Sequence, residues 1–254
     1  MILLEIRNLG KYFGGLAAIV DLSLNIYQGE ILGLIGPNGA GKSTVFNVIS
    51  GRYPRSAGTW IFGGEDITGF PPHRIAQKGI TQLFQANVLF HNFTLVENVV
   101  AASYLNIGIG FWGSFWSTSY THKRERALYK KAIEILEFVG LSHKKDETTS
   151  LLSHGHQRLL GLAIALPPEP RLILLDEPVT GMNAEEVKMM LDMIRKLRDE
   201  RGISFILIEH NMRAVMSLCD RIAVLSYGRK IAEGIPKEIA DNPAVIEAYL
   251  GAEE

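Results

Sequence analysis

Nine consecutive residues, Gly36-Pro-Asn-Gly-Ala-Gly-Lys-Ser-Thr44, constrain this chain more than any other stretch. They fit the phosphate-binding pattern G-x-x-x-x-G-K-[ST], with Gly36, Gly41, Lys42 and Ser43 at the defined places. Glycines let the backbone bend so that successive N–H groups point inward at an anion. The loop therefore spans Gly36, Pro37, Asn38, Gly39, Ala40, Gly41, Lys42, Ser43 and Thr44. Before it, Glu30-Ile-Leu-Gly-Leu-Ile35 reads as a buried strand; after it, Thr44-Val-Phe-Asn-Val-Ile-Ser50 can open a helix. A helix start adds its positive dipole end to the anion site. In such a loop Lys42 reaches the outer phosphates and the Ser43 hydroxyl holds Mg²⁺.

A second cluster sits where it would complete such a site. Leu172-Ile-Leu-Leu175 is a wholly apolar run that ends in Asp176-Glu177-Pro178. A buried strand thus delivers two carboxylates at its carboxyl end, where ligands sit in open α/β sheets. Asp176 suits Mg²⁺, directly or through water, because a hard cation takes oxygen ligands. Glu177 suits the role of general base on an attacking water.

The remainder of the chain supplies a scaffold for these two clusters. Ile2–Ile6 and Leu22–Ile26 have the period of two expected of strands, and Thr59–Phe62 lies between glycine-rich turns as part of a hairpin. Leu95–Leu105 reads as helix. So does Thr121–Gly140, with Leu128, Ala132, Ile135, Leu136 and Val139 at helical spacing and Gly140 as its stop. A helix over Ala184–Asp199 and an apolar strand over Ser204–Ile208 follow. Apolar strands alternating with helices predict an α/β fold with a mainly parallel sheet covered by helices. The segment from about 86 to 150 is expected to form a separate helical subdomain. Residues 1–85 and 151–254 are expected to form the core of one domain.

Composition excludes several classes. The 254 residues are 47% hydrophobic and 21% charged, which suits a globular chain rather than a disordered one. Net charge is −1, so nothing points to the basic face of a nucleic-acid binder. Cys219 is the only cysteine, which rules out an internal disulfide and fits a reducing compartment; it reads as a small buried apolar residue. Glu5 and Arg7 interrupt the apolar start, so it does not read as a secretory signal. Asn98–His122 lacks Asp, Glu, Lys and Arg, but its serines, threonines and glycines make it too polar for a membrane span. The chain is expected to be soluble.

Together these residues resemble the ATP-binding subunit of an ATP-binding cassette (ABC) transporter, and the resemblance runs over essentially the whole chain. It implies a P-loop NTPase core, an antiparallel β subdomain and an inserted helical subdomain, with ATP and Mg²⁺ as cofactors. Further residues take roles by this resemblance. Phe13, in Lys11-Tyr-Phe-Gly-Gly15, sits where the family places an aromatic that stacks on adenine. Gln85, in Leu83-Phe-Gln85, sits where the family has the glutamine that joins the nucleotide and metal site to the helical subdomain. His210, in Ile208-Glu-His210, matches the switch histidine, and Gly181-Met-Asn-Ala184 the loop that crosses the dimer interface. Leu152-Ser-His-Gly-His-Gln157 resembles the signature Leu-Ser-Gly-Gly-Gln, with an extra residue before the glutamine. Ser153, Gly155 and Gln157 are thereby implied to act on the ATP held by a partner subunit. His154 and His156 depart from the pattern, and Leu159–Ala165 lacks the arginine common there. These departures bear on the partner's ATP and leave this chain's own hydrolytic residues intact.

Several segments resemble one branch, the importers of branched-chain amino acids and related amides. They are Phe13–Ala18, Asp66–Gly69, Thr94–Asn98, Asp176–Asn183, the long segment with Phe111-Trp-Gly-Ser-Phe-Trp116, and the tail Asn242–Gly251. The resemblance implies a second ABC ATPase subunit, usually a different chain, two membrane permease subunits and, indirectly, an external solute-binding protein. It places the chain peripherally at the cytoplasmic face of the cell membrane. Lipopolysaccharide export, urea or short-amide uptake, and a soluble ABC ATPase outside transport are the other readings left open. The single cassette without heptads speaks against the last.

Overall fold

The computed structural model describes residues 1–83, 89–107 and 119–250. Gln85, the aromatic segment 111–116 and residues 251–254 lie outside the described residues.

The chain opens with a long hairpin, β1 (Ile2–Phe13) and β2 (Leu16–Tyr27), where short strands at 2–6 and 22–26 are expected. The extra length is hidden in the sequence by register shifts along the pair. Asn8 and Asp21 take positive φ there, and the Asn8 amide donates to Asp21 across 2.6 Å. Each irregularity changes which face the next residue meets, so the alternation of two is lost. β4 (Ala57–Phe62) and β5 (Glu65–Asp66) complete an antiparallel sheet of order β2-β1-β4-β5.

The second sheet holds β3 (Ile31–Ile35), β6 (Ile80–Leu83), β7 (Leu172–Asp176), β8 (Ser204–Ile208), β9 (Arg221–Ser226) and β10 (Arg229–Gly234), in the order β10-β9-β3-β8-β7-β6. All its pairings are parallel except β9 with the edge strand β10. Apolar runs in β3, β7 and β8 are explained by burial on both faces. Leu32, Leu34, Leu172, Leu174, Ile206 and Ile208 pack toward the antiparallel sheet and α1 (Lys42–Ile49). Ile31, Ile35, Ile173, Leu175, Phe205 and Leu207 pack on the opposite side. There they meet α5 (His154–Ala165), α6 (Ala184–Arg201) and α7 (Met212–Leu218). Short helices α2 (Pro72–Gln77), α8 (Pro236–Ala240) and α9 (Pro243–Leu250) fill the edges.

The helical segment is built on α3 (Leu95–Ile107) and α4 (Ser119–Phe138). α4 stops just before Gly140, whose φ of 77° suits the expected break. Val99, Ala132, Ile135 and Leu136 join the same apolar cluster as the helix-covered face of the parallel sheet. Asn98 fixes the base of α3. Its buried amide donates to the carbonyls of Phe90 and Thr94 and to the Thr149 hydroxyl, while its oxygen accepts from the Phe90 N–H. Among the described residues no helix is long and apolar enough to cross a membrane.

Asn98→Ala removes these bonds and leaves the Phe90 N–H without its partner, while the Phe90 and Thr94 carbonyls keep the N–H groups of Phe93 and Asn98, so the cost is about 1–2 kcal/mol. Urea denaturation should show that loss; a change near zero would mean that the segment is held by its apolar contacts alone.

Candidate active site

The loop from Gly36 to Gly41 leaves β3 at its carboxyl end and enters α1 at Lys42. The helix starts two residues before Thr44, where it was expected, so Lys42 and Ser43 belong to its first turn. Two glycines are demanded by space as well as conformation. A Cβ on Gly36 would lie 2.0 Å from the Leu225 carbonyl oxygen, and one on Gly41 would lie 2.4 Å from that of Ala18. Their φ angles, 147° and 101°, are in the range that favours glycine.

Lys42 is buried, at 6% exposure. Its ammonium donates to the carbonyls of Gly36 at 2.6 Å and Pro37 at 2.9 Å. Burial lowers its pKa, and the charges of Glu177 and Asp176 act in the opposite direction. A buried ammonium satisfied by loop carbonyls, beside a cradle that excludes side chains, fits an anion such as a phosphate.

Asp176 and Glu177 arrive at the end of β7 as expected. Burial raises the Asp176 pKa, and the Glu177 charge raises it further. Glu177 carries the backbone at a φ of 50°, a conformation that non-glycine residues pay strain to hold. Its N–H donates to the Ile208 carbonyl at 2.9 Å, which ties it to the end of β8. His210 follows that strand, and its Nε2 lies 3.1 Å from Glu177 Oε1. The loop, Glu177, His210 and Phe13 share a cavity of about 370 Å³. Phe13 is 42% exposed, so it is no core residue; its ring meets Tyr53 edge-on with centroids 5.5 Å apart, and Lys11 Nζ lies 4.5 Å from its centre. Ser43 lines that cavity, and Asp176, at the end of β7 next to Glu177, is a second oxygen donor of the kind a hard cation takes. Among the described residues no group of three His, Cys, Asp or Glu side chains could hold a metal ion.

The signature segment divides. Ser153 caps α5, accepting from the His156 N–H, and its Oγ lies 3.1 Å from His156 Nδ1. Gly155 lies in the first turn of the same helix. Gln157 turns back instead: its amide donates to the Leu152 carbonyl at 3.2 Å.

The match to family models decides the lineage. Residues 19–180 match the model described as "ABC transporter". The chain belongs to the ABC transporter family. Residues 229–254 also match the model described as "Branched-chain amino acid ATP-binding cassette transporter". The cassette is 39% identical to the high-affinity branched-chain amino acid transport ATP-binding protein BraF of Pseudomonas aeruginosa, over 98% of both chains. It is 37% identical to the corresponding protein LivG of Escherichia coli, again over 98% of both. The lipopolysaccharide export system ATP-binding protein LptB of Escherichia coli is 34% identical over 99% of this chain and 98% of its own. The solved ADP conformation of an ATP-binding cassette of an ABC transporter superposes with a TM-score of 0.87 at 32% identity, covering 99% of each chain.

The structure adds residues that the sequence reading passed over. Glu209, 2% exposed, accepts from the N–H groups of Val179, His210 and Asn211, so it joins the loops that carry Glu177 and His210. Glu186, in the first turn of α6, accepts from the Gly155 N–H at 3.0 Å and places a carboxylate on the signature helix start. Tyr249 of α9 reaches the Gly36 backbone; burial pushes its pKa up and that hydrogen bond opposes the rise. The only advance signal for Glu209 was an acidic residue wedged between an apolar strand and a histidine.

Two outcomes follow for the cassette. Phe13→Ala should weaken ATP and GTP alike by about 0.5–1.5 kcal/mol, as stacking reads no base edge; calorimetry showing unchanged affinity would reassign the base contact to Tyr12 or elsewhere. Asp176→Asn tests the buried charge. A carboxyl whose pKa rises on folding makes the fold most stable below its unfolded pKa, near 3.8, and less stable as pH climbs through the folded value. Where Asp176 is ionised in the folded chain this cost is present, so the variant should melt higher than wild type without nucleotide, with the gain fading in acid. A lower melting temperature at neutral pH would show that Lys42 depends on Asp176 more than Asp176 suffers from burial.

Proposed function

We propose that this chain binds and hydrolyses ATP to power an importer of branched-chain amino acids or related amides. The observation that carries hydrolysis is the 3.1 Å contact of His210 with Glu177 in one cavity with the phosphate loop. In this reading Lys42 exchanges two loop carbonyls for phosphate oxygens, and backbone N–H groups of the glycine-rich loop take the same anion. Glu177 takes a proton from the attacking water, while His210 orients the Glu177 carboxylate and follows the state of the phosphates. Phe13 stacks on adenine. Ser43, Asp176 and Gln85 would hold Mg²⁺, which would supply charge neutralisation on the phosphates when bound. Ser153, Gly155 and Gln157 serve the ATP of the opposing subunit, and Glu186 must release Gly155 before a phosphate can take its place.

Support for the cargo class comes from the carboxy-terminal match and from the names of the relatives. The same terminus favours import over the lipopolysaccharide reading. Two such cassettes, this one and a second that differs from it, would sit on two permeases at the cytoplasmic face of the membrane. An external binding protein would supply the solute. Residues 86–150 would form the helical subdomain that passes closure to the permeases, and 1–85 with 151–254 the nucleotide-binding core.

Glu177→Gln should keep ATP binding and lower turnover by about 10²-fold or more, the scale of lost general-base help. Phosphate release at the wild-type rate would remove Glu177 from the chemistry.

A further inference from the structure

A cavity of about 430 Å³ opens at the end of the parallel sheet opposite the phosphate loop. It lies where β7 and β8 begin, at Arg171 and Ile203, and α4 closes it through Lys131 and Ile135. Its lining shares no residue with the nucleotide cavity. Its volume falls in the range of about 300–1,000 Å³ typical of small-molecule sites.

The lining has two chemical parts. Leu3, Ile135, Leu166 and Ile203 are buried and form an apolar floor. Cations dominate the polar part, and Glu169 is its one acid. That acid is engaged: Lys131 Nζ donates to Glu169 Oε1 at 2.6 Å. The two guanidinium groups rest on aromatic faces, and the Arg201 charge also acts on Glu169. Arg171 lies 5.2 Å from the ring centre of Phe62, and Arg201 lies 4.5 Å from that of Phe138. Among the described residues neither forms an ion pair. A stacked guanidinium keeps its N–H edge for a planar anion, and a carboxylate matches that edge with two bonds.

We propose that this cavity is a second ligand site, for a short aliphatic carboxylate whose chain lies on the apolar floor and whose head is taken by Arg171 and Arg201. Lys131 occupies Glu169, so no acid remains for an ammonium group, and the site discriminates against zwitterionic amino acids. The ligand would join α4 to the strand starts, and so would raise the thermal stability of the chain.

Isothermal titration of the full chain with isocaproate, without nucleotide and at saturating ADP, tests this. One equivalent should bind with the same affinity in both states and raise the melting temperature. Isocaproamide, leucine and inorganic sulfate should each bind at least tenfold more weakly. Arg171→Gln and Arg201→Gln should each lower isocaproate affinity by about tenfold or more, the scale of a lost charge-assisted bond. Both side chains are exposed, so ligand-free melting temperature and basal ATPase should stay at wild-type values. Absence of binding, equal affinity for the amide, leucine or sulfate, or wild-type affinity in both glutamine variants would overturn the proposal.

Discussion

The site depends on a lysine buried in a loop that has no room for side chains. Lys42 can be buried because the carbonyls of Gly36 and Pro37 take its protons. Those carbonyls are available because the loop is pressed between the two sheets. Gly36 lies under the Leu225 carbonyl at the end of β9, and Gly41 under that of Ala18 in β2. Backbone bonds from Val20 to Gly228 and from Gly228 to Ala40 stitch the three segments together. A side chain at either glycine would force this junction open, so loop geometry and sheet packing are one constraint.

Charge in the site is arranged at a cost to the nucleotide-free chain. Asp176 is held partly buried beside Glu177, and its pKa rises accordingly. Arg158, from the signature helix, is also buried; burial lowers its pKa while the charges of Glu177 and Glu209 oppose that. Glu177 adds backbone strain at positive φ. Strain and buried charge persist where surrounding structure over-determines them. Here β7, β8 and the three N–H groups gathered by Glu209 do so.

Local motifs were legible in the sequence because their chemistry is contiguous. The phosphate loop, the Leu172–Glu177 strand end and Ser204–Ile208 followed by His210 each declare themselves within a few residues. The second half of β1 and the first half of β2 were not legible, because shifts in register at Asn8 and Asp21 break the alternation. β9 and β10 form a hairpin around Tyr227-Gly228, and their apolar content is concentrated in β9 alone. What joins the site over distance escaped altogether. The contact of Glu186 with Gly155 spans two helices, and that of Tyr249 with Gly36 joins the tail to the loop. Neither pairing has a sequence period or motif to announce it. Gln157 is the reverse case: it stands beside the motif in sequence, yet its amide serves the backbone of its own segment.

The central claim is that Lys42 is a buried cation waiting to exchange carbonyls for phosphate. Calorimetric binding of ATP, inorganic triphosphate and adenosine to Lys42→Met tests it most directly. A folded variant should lose ATP and triphosphate affinity together by about a hundredfold or more, since a buried ammonium–phosphate contact is charge-assisted at both ends. Any weak affinity for adenosine should be untouched. Wild-type affinity for triphosphate in that variant would contradict the account.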